Sequence, residues 1–252
     1  MLAPSKTNPY FLTASGLLRS LDRLREMHPD MTVLQAMTFF WVAQNPGSTQ
    51  RLLPEAIGAF ERDPAIRAIV VAGDGDKAFI SGADISQFET LRGTAEAQAE
   101  YARVVESASL AVKQCSKPVI ARIRGICIGG GLGFAASCDV RICSDDAVFR
   151  MPAARLGLGY QYPGIKRFTE VLGPANTADL FFSARTFGAA DAMTIGLVKQ
   201  VFPAFELDGA VTEYVDQIAE NAPLTVAAAK RVLLELRKDP AQQDRALAQK
   251  MI

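Results

Sequence analysis

VIARIRGICIGGGLGFAASCDVRIC, residues 119–143, runs from a β-branched apolar stretch through three consecutive glycines into small residues, then back into a β-branched run. Val119–Ile123 reads as a buried strand, the stretch from Gly130 into Phe134–Ser137 as a helix, and Val140–Cys143 as the next strand. Strand, helix and strand in that order argue for an α/β class with right-handed connections. About 45 residues upstream a related turn occurs, Ser81-Gly82-Ala83-Asp84-Ile85, beyond the apolar strand-like run Ile66–Ala72 and the turn Gly73–Asp76. The first N–H groups of a helix have no intrahelical acceptor and carry the positive end of its dipole. Two such turns side by side can therefore hold one oxyanion between backbone amides.

Outward from these units, helices are expected where apolar residues recur at helical spacing. In Leu53–Arg62 the stripe is Leu53, Ile57 and Phe60, closed by Asp63-Pro64. Residues 95–114 present Tyr101, Val104, Val105, Ala108 and Val112 to a core, and Lys117-Pro118 restarts the chain as a strand. From Leu207 the strand signal ends. Helices are predicted at 207–219, at 223–238 with Pro223 in the first turn, and from Pro240 onward.

Four segments carry a family resemblance: AIRAIVVAGDGDKAFISGADISQF from Ala65, KPVIARIRGICIGGGLGFAASCDVRICSDDAVFRMP from Lys117, LGLGYQYPG, and RTFGAADAMTIGLVKQVFP. In this order and spacing the chain resembles the crotonase, or enoyl-CoA hydratase/isomerase, superfamily over about residues 53–252. GGG alone would be weak evidence, because glycine-rich turns serve many folds. The resemblance implies a spiral of short strands and helices in residues 53–206, followed by a helical layer at 207–252 that is shorter than in relatives. It also implies an acyl-CoA substrate, with coenzyme A as part of the substrate and no separate cofactor, a place in fatty acid metabolism, and a homotrimer or hexamer. By the same resemblance the N–H groups of Ala83 and Gly130 form the oxyanion hole, and Ala83, Asp84, Ile85, Ser86 and Gly130 line the substrate.

With 252 residues, 49% of them hydrophobic, the chain can bury a core without a metal or disulfide staple. Zero net charge gives no field to draw nucleic acid or an anionic membrane, so neither is expected as a partner. Cys115, Cys127, Cys138 and Cys143 lack metal-ligand spacing and a nearby histidine, which predicts reduced buried thiols and no metal site. No signal pattern and no long apolar run occurs, so a cytoplasmic protein is expected.

Residues 1–52 do not follow the family pattern. SGLLRSLDRLREMHPDMTVLQAMTFFWVAQNPGSTQRLL, from Ser15, predicts two helices, one striped by Leu17, Leu18, Leu21 and Leu24 and one running from Thr32 to about Gln44. It resembles the opening helices of a winged-helix regulator of the multiple-antibiotic-resistance type, without the recognition helix or wing. A recombined chain or a divergent helical extension would give this pattern. Relatives lay a strand here, so its replacement predicts an unpaired sheet edge and weaker contacts to coenzyme A.

The hydratases of the family use two glutamates, one two residues beyond the last glycine of GGG and one directly after the proline of the next motif. Those positions are Gly133 and Ala153 here. Losing such proton-transfer groups costs about 10²–10⁴-fold each where they act separately. Enolate chemistry of the hydratase/isomerase type is the expected function, with no carboxylate assigned to move the proton. The alternatives are a decarboxylase resembling the methylmalonyl-CoA type and using Tyr160 of LGLGYQYPG, or a non-catalytic CoA-binding or regulatory protein. Against the decarboxylase stands the family branch's histidine, which is Ala83 here. Asp84 is read as a helix cap, Asp139 as an anchor for the following strand, and Asp145-Asp146 as a solvated turn. Arg150 and Arg155 are candidates for a CoA phosphate or for plain surface positions.

Overall fold

The computed structural model describes residues 34–39, 48–73, 75–81 and 95–250. The chain enters with β1 (Leu34–Phe39), α1 (Ser48–Arg62), β2 (Ile66–Ala72), β3 (Ala78–Ile80) and α2 (Ala95–Gln114). Next come β4 (Val119–Ile123), β5 (Ile126–Ile128), α3 (Gly130–Ala135), β6 (Val140–Ser144) and β7 (Val148–Arg150). After a 3₁₀ turn at Ala153–Leu156 come α4 (Tyr162–Ser183), β8 (Thr186–Gly188), α5 (Ala189–Thr194) and β9 (Gln200–Phe202). The chain closes with α6 (Leu207–Glu220), α7 (Pro223–Leu236) and α8 (Arg245–Lys250).

The strands form two sheets. One is parallel throughout, in the order β1-β2-β4-β6-β9; the other runs β3-β5-β7-β8 and is parallel except for β8. Each turn of the chain lays one strand in the first sheet and the next in the second: β2 then β3, β4 then β5, β6 then β7. Helices return the chain for the following turn. This α/β spiral is the expected fold class.

Glycine sets how closely successive turns stack. A methyl group at Gly73 would lie 2.8 Å from Phe79 Cα, and one at Gly125 2.6 Å from the Lys77 carbonyl carbon. Between the sheet and α6 lies a core of Ala68, Val70, Ile120, Ile142, Leu207, Val211 and Val215. At about 25 cal/mol per Å² of apolar area, this burial is what holds the first C-terminal helix to the spiral. Asp139 closes the seam at the opposite end of the strands: its carboxylate accepts the Val119 N–H (2.7 Å) and pairs with the buried Lys230 of α7 (2.8 Å). The predicted anchor therefore ties the neighbouring strand β4, with its backbone N–H also donating to Val119 O (2.8 Å).

Two expectations for the N-terminal stretch are corrected. Where the apolar spacing predicts a second helix from Thr32 to about Gln44, Leu34–Phe39 is a strand, paired in parallel with Ile66–Ala72. Tertiary pairing outweighs the helical spacing here because β2 offers a row of unpaired backbone groups. The edge of β2 is thus covered. The first spiral helix begins at Ser48, where Pro46-Gly47-Ser48-Thr49-Gln50 predicts a turn and a new helix start, and carries the Leu53 stripe to Arg62. The predicted helix around Leu17–Leu24 lies outside the described residues.

Candidate active site

Strands β3, β5 and β7 are adjacent and parallel, with Ala78 beside Ile126 and Ile128 beside Arg150. Their carboxyl ends therefore leave the sheet along one edge, neighbouring strands being about 4.8 Å apart. The sequence at these ends is Ser81 onward, Gly129–Gly133, and Met151–Ala153. The ends of the three strands meet on this edge.

Gly129 makes the turn from β5 into α3. Its φ of 57° and ψ of −116° suit only glycine, and its N–H donates to Arg150 O (2.9 Å), which ties the turn to β7. Gly130 is the first helical residue, so no preceding turn supplies an acceptor for its N–H. A methyl group at Gly130 would meet none of the described residues within 4 Å. Gly131 does the reverse. Its Cα faces the last residue of β3 so closely that a methyl group would lie 2.6 Å from Ile80 Cβ, and closer still to the Ile80 carbonyl oxygen. The turn that follows β3 thus starts directly against the helix that begins with Gly130.

Ala83, Asp84, Ile85 and Ser86 lie outside the described residues, and Asp84's capping role with them. Of the two positions without a glutamate, Gly133 is buried in α3 and Ala153 is buried at the start of the 3₁₀ turn. Tyr160 reaches the first of them. A methyl group built on Gly133 would lie 2.9 Å from Tyr160 Oη, while the ring packs edge-on against Phe181 (5.0 Å between centroids) and Phe168 (6.4 Å) of α4. Gln161 and Tyr162 point outward; Gln161 is the residue before α4, and Tyr162 opens that helix rather than remaining in a loop.

The remaining candidates are structural. Arg150 donates to Ala184 O (3.0 Å), and Arg155 is exposed. Asp145 and Asp146 form an exposed turn in which Asp146 accepts from Ser144 and Asp145 accepts the Ala204 N–H (3.1 Å). All four cysteines are buried and free. Desolvation pushes the Cys138 and Cys143 thiols up to about 12 and the Cys127 thiol well above its ordinary value, so none is an activated nucleophile. Among the described residues no group of three or more His, Cys, Asp or Glu could hold a metal ion.

Sequence reasoning missed the third strand of this edge and the packing role of Gly131 and Gly164. Strands β3, β5, β7, β8 and β9 have three residues each, too few for any period to be read. Glycine in YPG and in GGG reads as a turn signal, with nothing in the sequence to say which side chain comes close.

A spiral of strands alternating between two sheets, with the glycine turn of β5 opening a helix at one sheet edge, defines the crotonase fold. The chain belongs to the enoyl-CoA hydratase/isomerase family, which it matches over residues 48–252. It is 34% identical over 201 residues to the peroxisomal Delta(3,5)-Delta(2,4)-dienoyl-CoA isomerase of Arabidopsis thaliana, covering 75% of this chain and 72% of that protein. The short-chain-enoyl-CoA hydratase of Clostridium acetobutylicum is 32% identical over 185 residues, covering 73% of this chain and 70% of its own length. Among solved structures, an enoyl-CoA hydratase/carnithine racemase from Magnetospirillum magneticum superposes with a TM-score of 0.78 at 32% identity, over 83% of this chain and 77% of that one.

Proposed function

We propose that residues 48–252 bind an acyl-CoA thioester and stabilise its enolate, with the Gly130 N–H as one oxyanion donor and the Ala83 N–H as the other. The observation that carries this reading is the close approach of Gly131 to Ile80. It starts both turns from adjacent strand ends, where two backbone donors can act on one oxygen. One such donor is worth about 10²–10³-fold in turnover. Asp84, Ile85 and Ser86 complete the substrate contacts in this reading. Coenzyme A enters as part of the substrate, and the site needs no separate cofactor.

Both glutamate positions lack an acid–base group, which favours reactions driven by enolate stabilisation alone. A specific observation supports the decarboxylase alternative: Tyr160 Oη lies against Gly133, one helical turn from Gly130. In that reaction the bond from the α-carbon to a carboxylate breaks, its electron pair enters the thioester carbonyl to give the enolate, and CO₂ departs. The α-carbon then takes a proton from water, leaving hydroxide that combines with the CO₂ as bicarbonate. In this reading Tyr160 orients the departing carboxylate.

Calorimetric titration with butyryl-CoA, followed by turnover assays on crotonyl-CoA, methylmalonyl-CoA and a dienoyl-CoA, tests the reading. Binding with turnover of at least one thioester is expected. No binding of any thioester refutes it, and CO₂ release lost in Tyr160→Phe selects the decarboxylase. A cytoplasmic homotrimer or hexamer belongs to the same reading. The exposed Tyr162 and Phe182 at the two ends of α4 offer apolar surface for such an assembly, and sedimentation measures its size. No helix among the described residues is long and apolar enough to cross a membrane.

A further inference from the structure

Two glycines on different helices open onto the same side chain. Gly133 lies in α3 and Gly164 in the first turn of α4, both in helical backbone without a positive φ. Glycine in such positions costs about 1 kcal/mol relative to alanine, and the backbone gives no reason for it. The space around each residue does. Among the described residues, the only atom within 4 Å of a methyl group at Gly133 is Tyr160 Oη, at 2.9 Å. For Gly164 the three nearest atoms all belong to the Tyr160 ring, with Cδ1 at 2.6 Å and Cε1 closer still.

The ring has no easy retreat. Phe168 and Phe181 pack edge-on against it and against each other, the latter pair with centroids 5.3 Å apart. Phe168 is fully buried. A side chain at 133 would therefore have to displace a half-buried phenol whose ring rests on Phe168 and Phe181, and a carboxylate there would need the volume its hydroxyl fills.

We propose that Gly133 and Gly164 are the specificity-determining pair of this site: together they form a slot for the Tyr160 ring, and the filled slot confines the enzyme to thioester reactions that add no water. The substrate half of this inference rests on the acyl-CoA reading above. Adding water to a double bond requires a base to deprotonate it, the role a carboxylate at 133 would fill. A phenol in the same volume offers one O–H donor and acceptor lone pairs, which suits orienting a carboxylate or a thioester carbonyl oxygen. The substrates are thus acyl-CoA thioesters that react through the enolate without adding water, with those carrying a carboxylate on the α-carbon suited to the phenol.

The test compares the full chain with Gly133→Ala, Gly164→Ala, Tyr160→Ala, Tyr160→Phe and the double variants that combine each glycine change with Tyr160→Ala. Butyryl-CoA binding, turnover of crotonyl-CoA and methylmalonyl-CoA, and urea unfolding are measured for each. The unaltered chain is expected to leave crotonyl-CoA unhydrated. Each glycine variant is expected to lose about tenfold or more in kcat on the thioester that is converted, with butyryl-CoA affinity within about threefold. In the Tyr160→Ala background the same changes shift kcat by less than about twofold, because their effect passes through the ring. Tyr160→Phe, alone and combined with each glycine change, lowers kcat; it relieves the midpoint loss of Gly133→Ala, whose methyl group meets only Oη, and leaves that of Gly164→Ala, whose methyl group meets the ring.

Unfolding gives an arm independent of substrate. Alanine at 133 or 164 should lower the urea midpoint when Tyr160 is present and raise it when Tyr160 is alanine. Equal effects in both backgrounds, on kcat or on the midpoint, overturn the slot; hydration of crotonyl-CoA by the unaltered chain overturns the restriction on water. Absence of butyryl-CoA binding overturns the acyl-CoA reading, and the unfolding comparison then decides the slot by itself.

Discussion

Gly131→Ala tests whether the approach of α3 to β3 positions the site. A methyl group at 131 would sit 2.6 Å from Ile80 Cβ, where ordinary contact begins at 3.4 Å, so the start of α3 must withdraw from the end of β3 by about 1 Å. Two effects on stability oppose each other. Overpacking costs about 1–3 kcal/mol, while alanine gains about 1 kcal/mol over glycine in a helix. The net loss is about 0–2 kcal/mol, a modest shift of the urea midpoint. Turnover should suffer more, since a displacement of about 1 Å between catalytic groups can cost about 10²-fold.

The diagnostic is therefore a divergence: urea unfolding followed by circular dichroism changes little while kcat falls by about two orders of magnitude. Gly209→Ala in α6, where a methyl group meets nothing within 4 Å, is the control. It should raise stability by about 1 kcal/mol and leave turnover unchanged. Gly131→Ala with kcat within about threefold of the unaltered chain and an unshifted midpoint would refute the idea that this contact sets the distance between the turns.

Asp139→Ala strands the Lys230 ammonium, 5% exposed, which keeps its hydrogen bond to the Lys117 carbonyl but loses its counter-charge, and should cost about 3–5 kcal/mol in urea unfolding. Adding Lys230→Met should recover a large part of that loss; a double variant as unstable as the single one would contradict the assignment. Stability should fall above pH 9. Unfolded Cys138 and Cys143 release protons near 9, whereas the folded thiols hold theirs to about 12, so the unfolded state binds fewer protons in that window. The loss is about 1.4 kcal/mol per pH unit for each thiol. Cys143→Ala should reduce that slope in urea titrations at pH 9–11, and an unchanged slope would exclude the thiol as its source. Iodoacetamide at pH 8 should label none of the four buried cysteines until urea unfolds the chain, so rapid labelling of the native protein would contradict their burial.

Much of this protein is local. IRAIVVA and VIARI declare buried strands by β-branched composition, and 95–114 declares a helix by spacing; all three appear at their predicted boundaries. The triple glycine marks the turn and Gly130 the start of its helix, because both follow from which backbone angles and N–H groups a helix start requires. Strand pairing is non-local. LQAMTF carries a helical pattern and becomes a strand beside β2, and three-residue strands such as β7 exist only because a neighbour supplies their hydrogen bonds. Tyr160 and Gly164 are four residues apart and meet locally, but nothing along the chain links either to Gly133, and only packing α4 against α3 brings the phenol to it. Sequence sets backbone preference and composition; which side chain fills a given volume depends on elements that meet only after folding.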